Sequence, residues 1–125
     1  MDPDKILEET FEIIDRAGFE KRKVSFIYLF GSVAEAEETE LSDIDIAISL
    51  ENVGDKVDAE IKLKSAAPDK YDVSIFENLP LQVKKQVLGG KLLYAKDRTV
   101  YDKAFETLEK YDFYEPLYRK AVGAE

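Results

Sequence analysis

Leu29-Phe30-Gly31-Ser32-Val33-Ala34-Glu35-Ala36-Glu37-Glu38-Thr39-Glu40-Leu41-Ser42-Asp43-Ile44-Asp45-Ile46 is the stretch whose reading decides the fold. An apolar run, Val24 to Phe30, ends in Gly31-Ser32, and Asp43-Ile44-Asp45 opens a second apolar run that reaches Leu50. Both runs have the length and composition of buried strands. Strand residues two apart share a face. Asp43 and Asp45 therefore project to one side, while Ile44, Ile46, Ile48 and Leu50 project to the other. Neighbouring carboxylates repel, and a hard divalent cation, Mg²⁺ above all, relieves that repulsion while taking substrate phosphates as further ligands. Gly31 permits a close backbone approach, and Ser32 adds a hydroxyl and an N–H suited to a phosphate. The same residues also read as a Gly-Ser turn followed by a solvated pair of aspartates.

Upstream, Asp2 is placed to cap a helix with Pro3 at its first position. Leu7, Phe11, Ile14 and Ala17 form its apolar stripe, with Ile6 and Ile13 beside it, and Gly18 is its stop. Lys21-Arg22-Lys23 is the densest basic run, read as a solvated loop or as a contact to an anionic partner. Val33 to Glu40 reads as a short helix whose N-terminus would aim free N–H groups at a phosphate. Downstream, Val57 to Ala67 reads as a helix ended by Pro68, with a thin stripe of Val57, Ile61 and Leu63. Tyr71 to Phe76 alternates as a strand, with Asp72 and Ser74 on its polar face. If this strand lies beside Asp43-Ile44-Asp45, Asp72 joins the other two carboxylates. Pro80 to Leu88 reads as a helix stopped by Gly89-Gly90, and Lys91 to Ala95 as a last strand. Thr99 to about Lys120 reads as a helix with Thr99 as its cap and a break or kink at Pro116. Its apolar side chains (Tyr101, Ala104, Phe105, Leu108 and Tyr111) suit either packing on the core or a partner surface.

The chain has 125 residues, room for one domain with a single core, and its 45% hydrophobic and 36% charged composition is that of a globular protein. It contains no Cys and no His, so disulfides, thiolate chemistry and the usual zinc ligands are excluded, and acid–base work falls to carboxylates, Lys or Tyr. No apolar run is long enough to span a bilayer, and the N-terminus lacks the pattern of a secretion signal, so a cytoplasmic location is expected. A net charge of −9 argues against direct binding of DNA or RNA. A basic protein partner, or a nucleotide escorted by Mg²⁺, is compatible with it. Self-association stays open.

Gly31-Ser32, ten intervening residues and then Asp43-Ile44-Asp45 resemble the signature of the nucleotidyltransferases of the DNA polymerase β superfamily. More narrowly, they resemble its short minimal nucleotidyltransferase (MNT) proteins. The likeness takes in the strand before Gly31, Ser42 before the first Asp, the later strand with Asp72, and the ending from Leu79-Pro80 to Leu93-Tyr94. It spans about residues 24 to 95. The resemblance implies an α/β fold of the α+β kind: a small mixed sheet of about four strands with helices mainly on one face. It implies Asp43, Asp45 and Asp72 as catalytic and metal-binding residues for one or two Mg²⁺ ions, Asp72 also accepting the proton of the attacking hydroxyl. Gly31, Ser32 and Ser42 are implied as nucleotide-binding residues. The implied reaction is transfer of AMP from ATP to a hydroxyl. MNT proteins commonly pair with a HEPN-domain ribonuclease as toxin and antitoxin, and the implied acceptor is a tyrosine of that partner. Glu35 and Ala36 depart from the pattern, which commonly has Arg and Gly there. That departure points to a second reading, an antitoxin that neutralises by contact alone. A third is stand-alone transfer to a small molecule such as an aminoglycoside.

Overall fold

The computed structural model describes residues 2–31 and 43–121, with side chains as far as Asp112. The helix expected from Val33 to Glu40, and with it Ser32, Glu35, Ala36 and Ser42, lies outside the described residues. So do the side chains of Phe113, Tyr114, Leu117 and Tyr118. Four strands, β1 (Val24–Phe30), β2 (Ile44–Leu50), β3 (Tyr71–Ile75) and β4 (Lys91–Ala95), form one sheet in the order β3-β2-β1-β4. The sheet is mixed, as expected: β1 runs antiparallel to β2 and β4, and β2 runs parallel to β3. The longer helices among the described residues are α1 (Pro3–Arg16), α2 (Lys56–Ala66), α3 (Leu81–Leu88) and α4 (Thr99–Ala121).

β2 sits inside the sheet and is buried nearly throughout. Its Ile44, Ile46, Ile48 and Leu50 pack with Ile27, Leu29, Val73 and Ile75 beneath α1 and α2. This is the larger core. The opposite face carries a smaller cluster, in which Phe26, Tyr28, Ala47 and Phe76 meet Val87 of α3 and Val100 of α4. Phe26 and Phe76 meet edge-to-face with centroids 5.2 Å apart, the arrangement the ring quadrupoles favour. α4 is further tied to this face by Lys103, which ion-pairs with Glu77 and donates to Ser49 Oγ of β2 at 3.2 Å.

The helix starts follow the sequence more closely than the helix faces do. The Asp4 amide donates to Asp2 Oδ1 at 3.0 Å, and Pro3 occupies the first helical position. The buried residues of α1 are Ile6, Thr10, Ile13 and Ile14, while Leu7, Phe11 and Ala17 pack at the margin. Thr10 enters the core because its hydroxyl is satisfied locally, donating to the Ile6 carbonyl at 2.7 Å. On α2 the expected stripe is split, and of its three residues only Leu63 faces the core. Val57 and Ile61 are exposed, and Ala59 and Leu63 are buried. Ala59 lets the helix approach the sheet, and Leu63 fills the space one turn on. On α4, Val100 and Thr107 are buried, whereas Tyr101, Phe105 and Leu108 are exposed, so the five apolar residues grouped by the sequence do not share a packed face. The Thr99 amide donates to Asp97 Oδ1, so the side-chain cap is Asp97, and helical backbone continues through Pro116. The basic run forms a 3₁₀ turn with partners inside the chain. Lys21 lies 4.7 Å from the Phe11 ring centroid, Arg22 pairs with Glu20, and Lys23 donates to the Asn52 carbonyl. No helix among the described residues is long and apolar enough to cross a membrane.

Gly90 seats α3 against the sheet. A Cβ there would overlap the Leu29 carbonyl oxygen and press on Phe30 and the Val87 carbonyl. Backbone cannot yield as a side-chain tip can, so Gly90→Ala should lower stability by about 1–3 kcal/mol. Thermal unfolding should show a drop of several degrees; an unchanged transition would show that the turn relaxes freely.

Candidate active site

The site forms where β1 ends. Phe30, the last residue of β1, is registered against Asp45 of β2, and parallel pairing sets Asp72 of β3 against Asp45 on the other side. Register partners on one sheet carry their side chains to the same face. Thus Asp45 and Asp72, remote in sequence, stand next to each other. Asp43 lies just before β2 and is exposed, Asp72 is exposed, and Asp45 is half-buried. Burial lifts the Asp45 carboxyl above its ordinary range, and the charges of Asp72 and then Asp43 lift it further. Asp45 therefore feels both of the other carboxylates.

Gly31 follows Phe30 with φ of +78°, a conformation open to glycine and strained for other residues. A Cβ at Gly31 would overlap the Asp45 carboxylate. Two independent facts thus require glycine here: the backbone angle, and the carboxylate that lies against the backbone.

A cavity of about 720 Å³ opens over this corner. Phe30, Gly31, Asp45, Asp72 and Ser74 line it from the sheet, with Leu79, Val83, Gln86 and Gly89 from α3 and its flanks. The volume suits a nucleotide-sized ligand, and the lining combines apolar walls with a few convergent polar groups. Among the described residues, no three acidic, His or Cys side chains close into a ready-made ligand cage. Mg²⁺ rarely needs one, since it usually takes one or two carboxylates and completes its shell with water and substrate phosphates. Asp45 and Asp72, with Asp43 close enough to repel Asp45, fit an ion brought in with a triphosphate.

The structure thus brings together Gly31, Asp45 and Asp72 at one cavity; Asp43, just before β2, does not line it but is close enough to raise the Asp45 carboxyl, while Ser32 and Ser42 lie outside the described residues. Three residues were not singled out from the sequence. Ser74 could have been, because it alternates with Asp72 on β3. Gln86, on α3, carried no local signal. Lys64, on α2, ion-pairs with Asp72 at 3.2 Å, a contact made only by tertiary packing.

The family Polymerase beta, Nucleotidyltransferase matches residues 12–99. The chain is 39% identical over 88 residues to a Methanocaldococcus jannaschii protein named "Putative protein adenylyltransferase MJ1547", covering 70% of this chain and 69% of that one. In shape it is similar to a chain from a crystal structure of a toxin–antitoxin with AMP-PNP. There the TM-score is 0.71 and the identity 25%, over 98% of this chain and 95% of the other. It also has the fold of a chain from a structure of tri-AMPylated Shewanella oneidensis HEPN toxin in complex with MNT antitoxin. That match has a TM-score of 0.63 and 24% identity, over 96% and 91% of the two chains. With the family match running over most of its length, and with the paired aspartates at the end of β1, the chain belongs to the polymerase β nucleotidyltransferase family.

Proposed function

We propose that this chain transfers AMP from ATP to a tyrosine hydroxyl of a HEPN-type toxin partner in a Mg²⁺-dependent reaction, and so acts as the antitoxin. The observation that carries this reading is the Asp45–Asp72 register pair facing a nucleotide-sized cavity beside Gly31. The partner is suggested by the similar folds, which were solved as toxin–antitoxin complexes, one holding an AMPylated HEPN toxin. A net charge of −9 suits a basic, RNA-cleaving partner.

Asp43, Asp45 and Asp72 would hold the Mg²⁺. When bound, Mg²⁺ neutralises charge on the phosphates and on the departing pyrophosphate. Gly31 would offer its backbone N–H to the phosphates, because nothing but backbone fits against Asp45 at that position; Ser32 is proposed to bind them with it. Phe30, Leu79 and Val83 supply the apolar wall of the cavity. Asp72, on the exposed side of the pair, accepts the proton of the tyrosine hydroxyl. The hydroxyl oxygen bonds to the α-phosphorus as the bond to the β-phosphate bridging oxygen breaks, and pyrophosphate leaves. Ser74 and Gln86 stand in the same cavity and can hydrogen-bond the nucleotide or the acceptor.

Incubation with α-labelled ATP, Mg²⁺ and the protein encoded by the adjacent reading frame tests this. Label should appear on a tyrosine of the partner, and both EDTA and Asp72→Asn should abolish it. Neutralisation of the partner without label would establish the contact-only antitoxin instead. Label appearing only on a small-molecule acceptor would establish the stand-alone enzyme.

A further inference from the structure

Lys64 stands in the last turn of α2, on a helix held to the sheet by Ala59 and Leu63. Its carbonyl accepts the Ala67 amide at the helix end. Its ammonium lies 3.2 Å from Asp72 Oδ1 and 2.6 Å from the carbonyl oxygen of Val73, the next residue of β3. Two of its three donors are therefore used at one point on the edge of the sheet. Both partners of the ion pair are about half exposed, at 45% and 57% of their side chains. Exposed pairs add little to stability, so the fold does not need this contact. Among the described residues, Lys64 is the cation ion-paired with one of the three aspartates.

We infer that Lys64 is the resident counter-ion of Asp72 and that it governs metal entry, holding down affinity for a divalent cation until a triphosphate arrives with it. The inference rests on the reading of Asp43, Asp45 and Asp72 as metal-binding residues. A divalent ion taken by Asp72 is placed near a fixed ammonium, and like charges oppose each other more strongly as water is excluded. The Val73 carbonyl keeps the ammonium at this point even when Asp72 engages a metal. A nucleotide brings several negative charges to the same cavity, which outweigh one ammonium. Metal loading thereby becomes coupled to nucleotide binding, and the empty site is spared occupation by free cations.

The test is titration of the full chain with Mn²⁺ alone, followed by electron paramagnetic resonance, and repeated with a non-hydrolysable ATP analogue. Lys64→Met, unbranched and of similar length, should bind Mn²⁺ about three- to tenfold more tightly than wild type without nucleotide. Lys64→Gln, a second neutral variant, should do the same, and Lys64→Arg, which keeps the charge, should match wild type. The advantage of the neutral variants should shrink when the analogue is present. Melting temperatures serve as the folding control. Equal or weaker Mn²⁺ affinity in both neutral variants overturns the counter-ion role. Absence of Mn²⁺ binding by wild type, even with the analogue, overturns the metal reading beneath it.

Discussion

Asp45→Asn is expected to lower AMP transfer by on the order of 10²–10³-fold or more, the scale of losing one preorganised charge at a reacting phosphoryl group. Asn keeps the size and shape of the side chain, so its fit against Gly31 and between Phe30 and Asp72 survives. The loss should therefore come without unfolding. Burial, Asp72 and Asp43 together raise the Asp45 carboxyl above its ordinary range. A carboxyl raised in the folded state penalises folding once it ionises, so this cost is absent at low pH and appears as pH climbs through the raised value. Asn carries no such cost. In EDTA at pH 7, the variant should melt at the same temperature as wild type or a few degrees higher. The gap should close as pH falls below the ordinary carboxylate range. Wild-type transfer by this variant would place the chemistry away from Asp45, and a large drop in melting temperature would make Asp45 a structural residue.

Gly31→Ala should damage both stability and transfer. Alanine at φ of +78° is strained, and its methyl group would overlap the Asp45 carboxylate. Such a position costs on the order of 1–3 kcal/mol. Relief requires Asp45 to swing away or the chain to leave β1 at a new angle, and either moves the reacting groups. Misplacement of about 1 Å is enough to cost roughly 10²-fold in rate. Kinetics and thermal unfolding of one sample check both effects together. The pattern differs from that of Asp45→Asn, which should lose rate alone. If Gly31→Ala keeps the wild-type melting point and rate, the close approach of the turn to Asp45 is not needed for the site.

The exposed side chains of α2 and α4 show where local reading fails. Val57 with Ile61, and Tyr101 with Phe105 and Leu108, have the spacing of buried helix stripes yet face outward. A helix period of 3.6 identifies an apolar arc but not whether a sheet lies beneath it. On α2, Ala59 won the inward position because a small residue permits close packing, which hydrophobicity alone would not have selected. On α4, Asp97 at the start and Lys103 tied to Glu77 and Ser49 accompany the inward turn of Val100 and Thr107.

By itself the sequence determined the four strands, the capped start of α1, the start of α3 after Pro80, and the need for glycine before the aspartates. These follow from periods of 2 and 3.6 and from the backbone limits of Pro and Gly, which act over a few residues. Tertiary structure alone decided that β3 lies parallel to β2 with Asp72 opposite Asp45, that α3 brings Gln86 and Val83 over the corner, and that Lys64 reaches Asp72. Strand neighbours and helix rotation are chosen by burial of the whole sheet at once, and no local stretch of the chain carries that information.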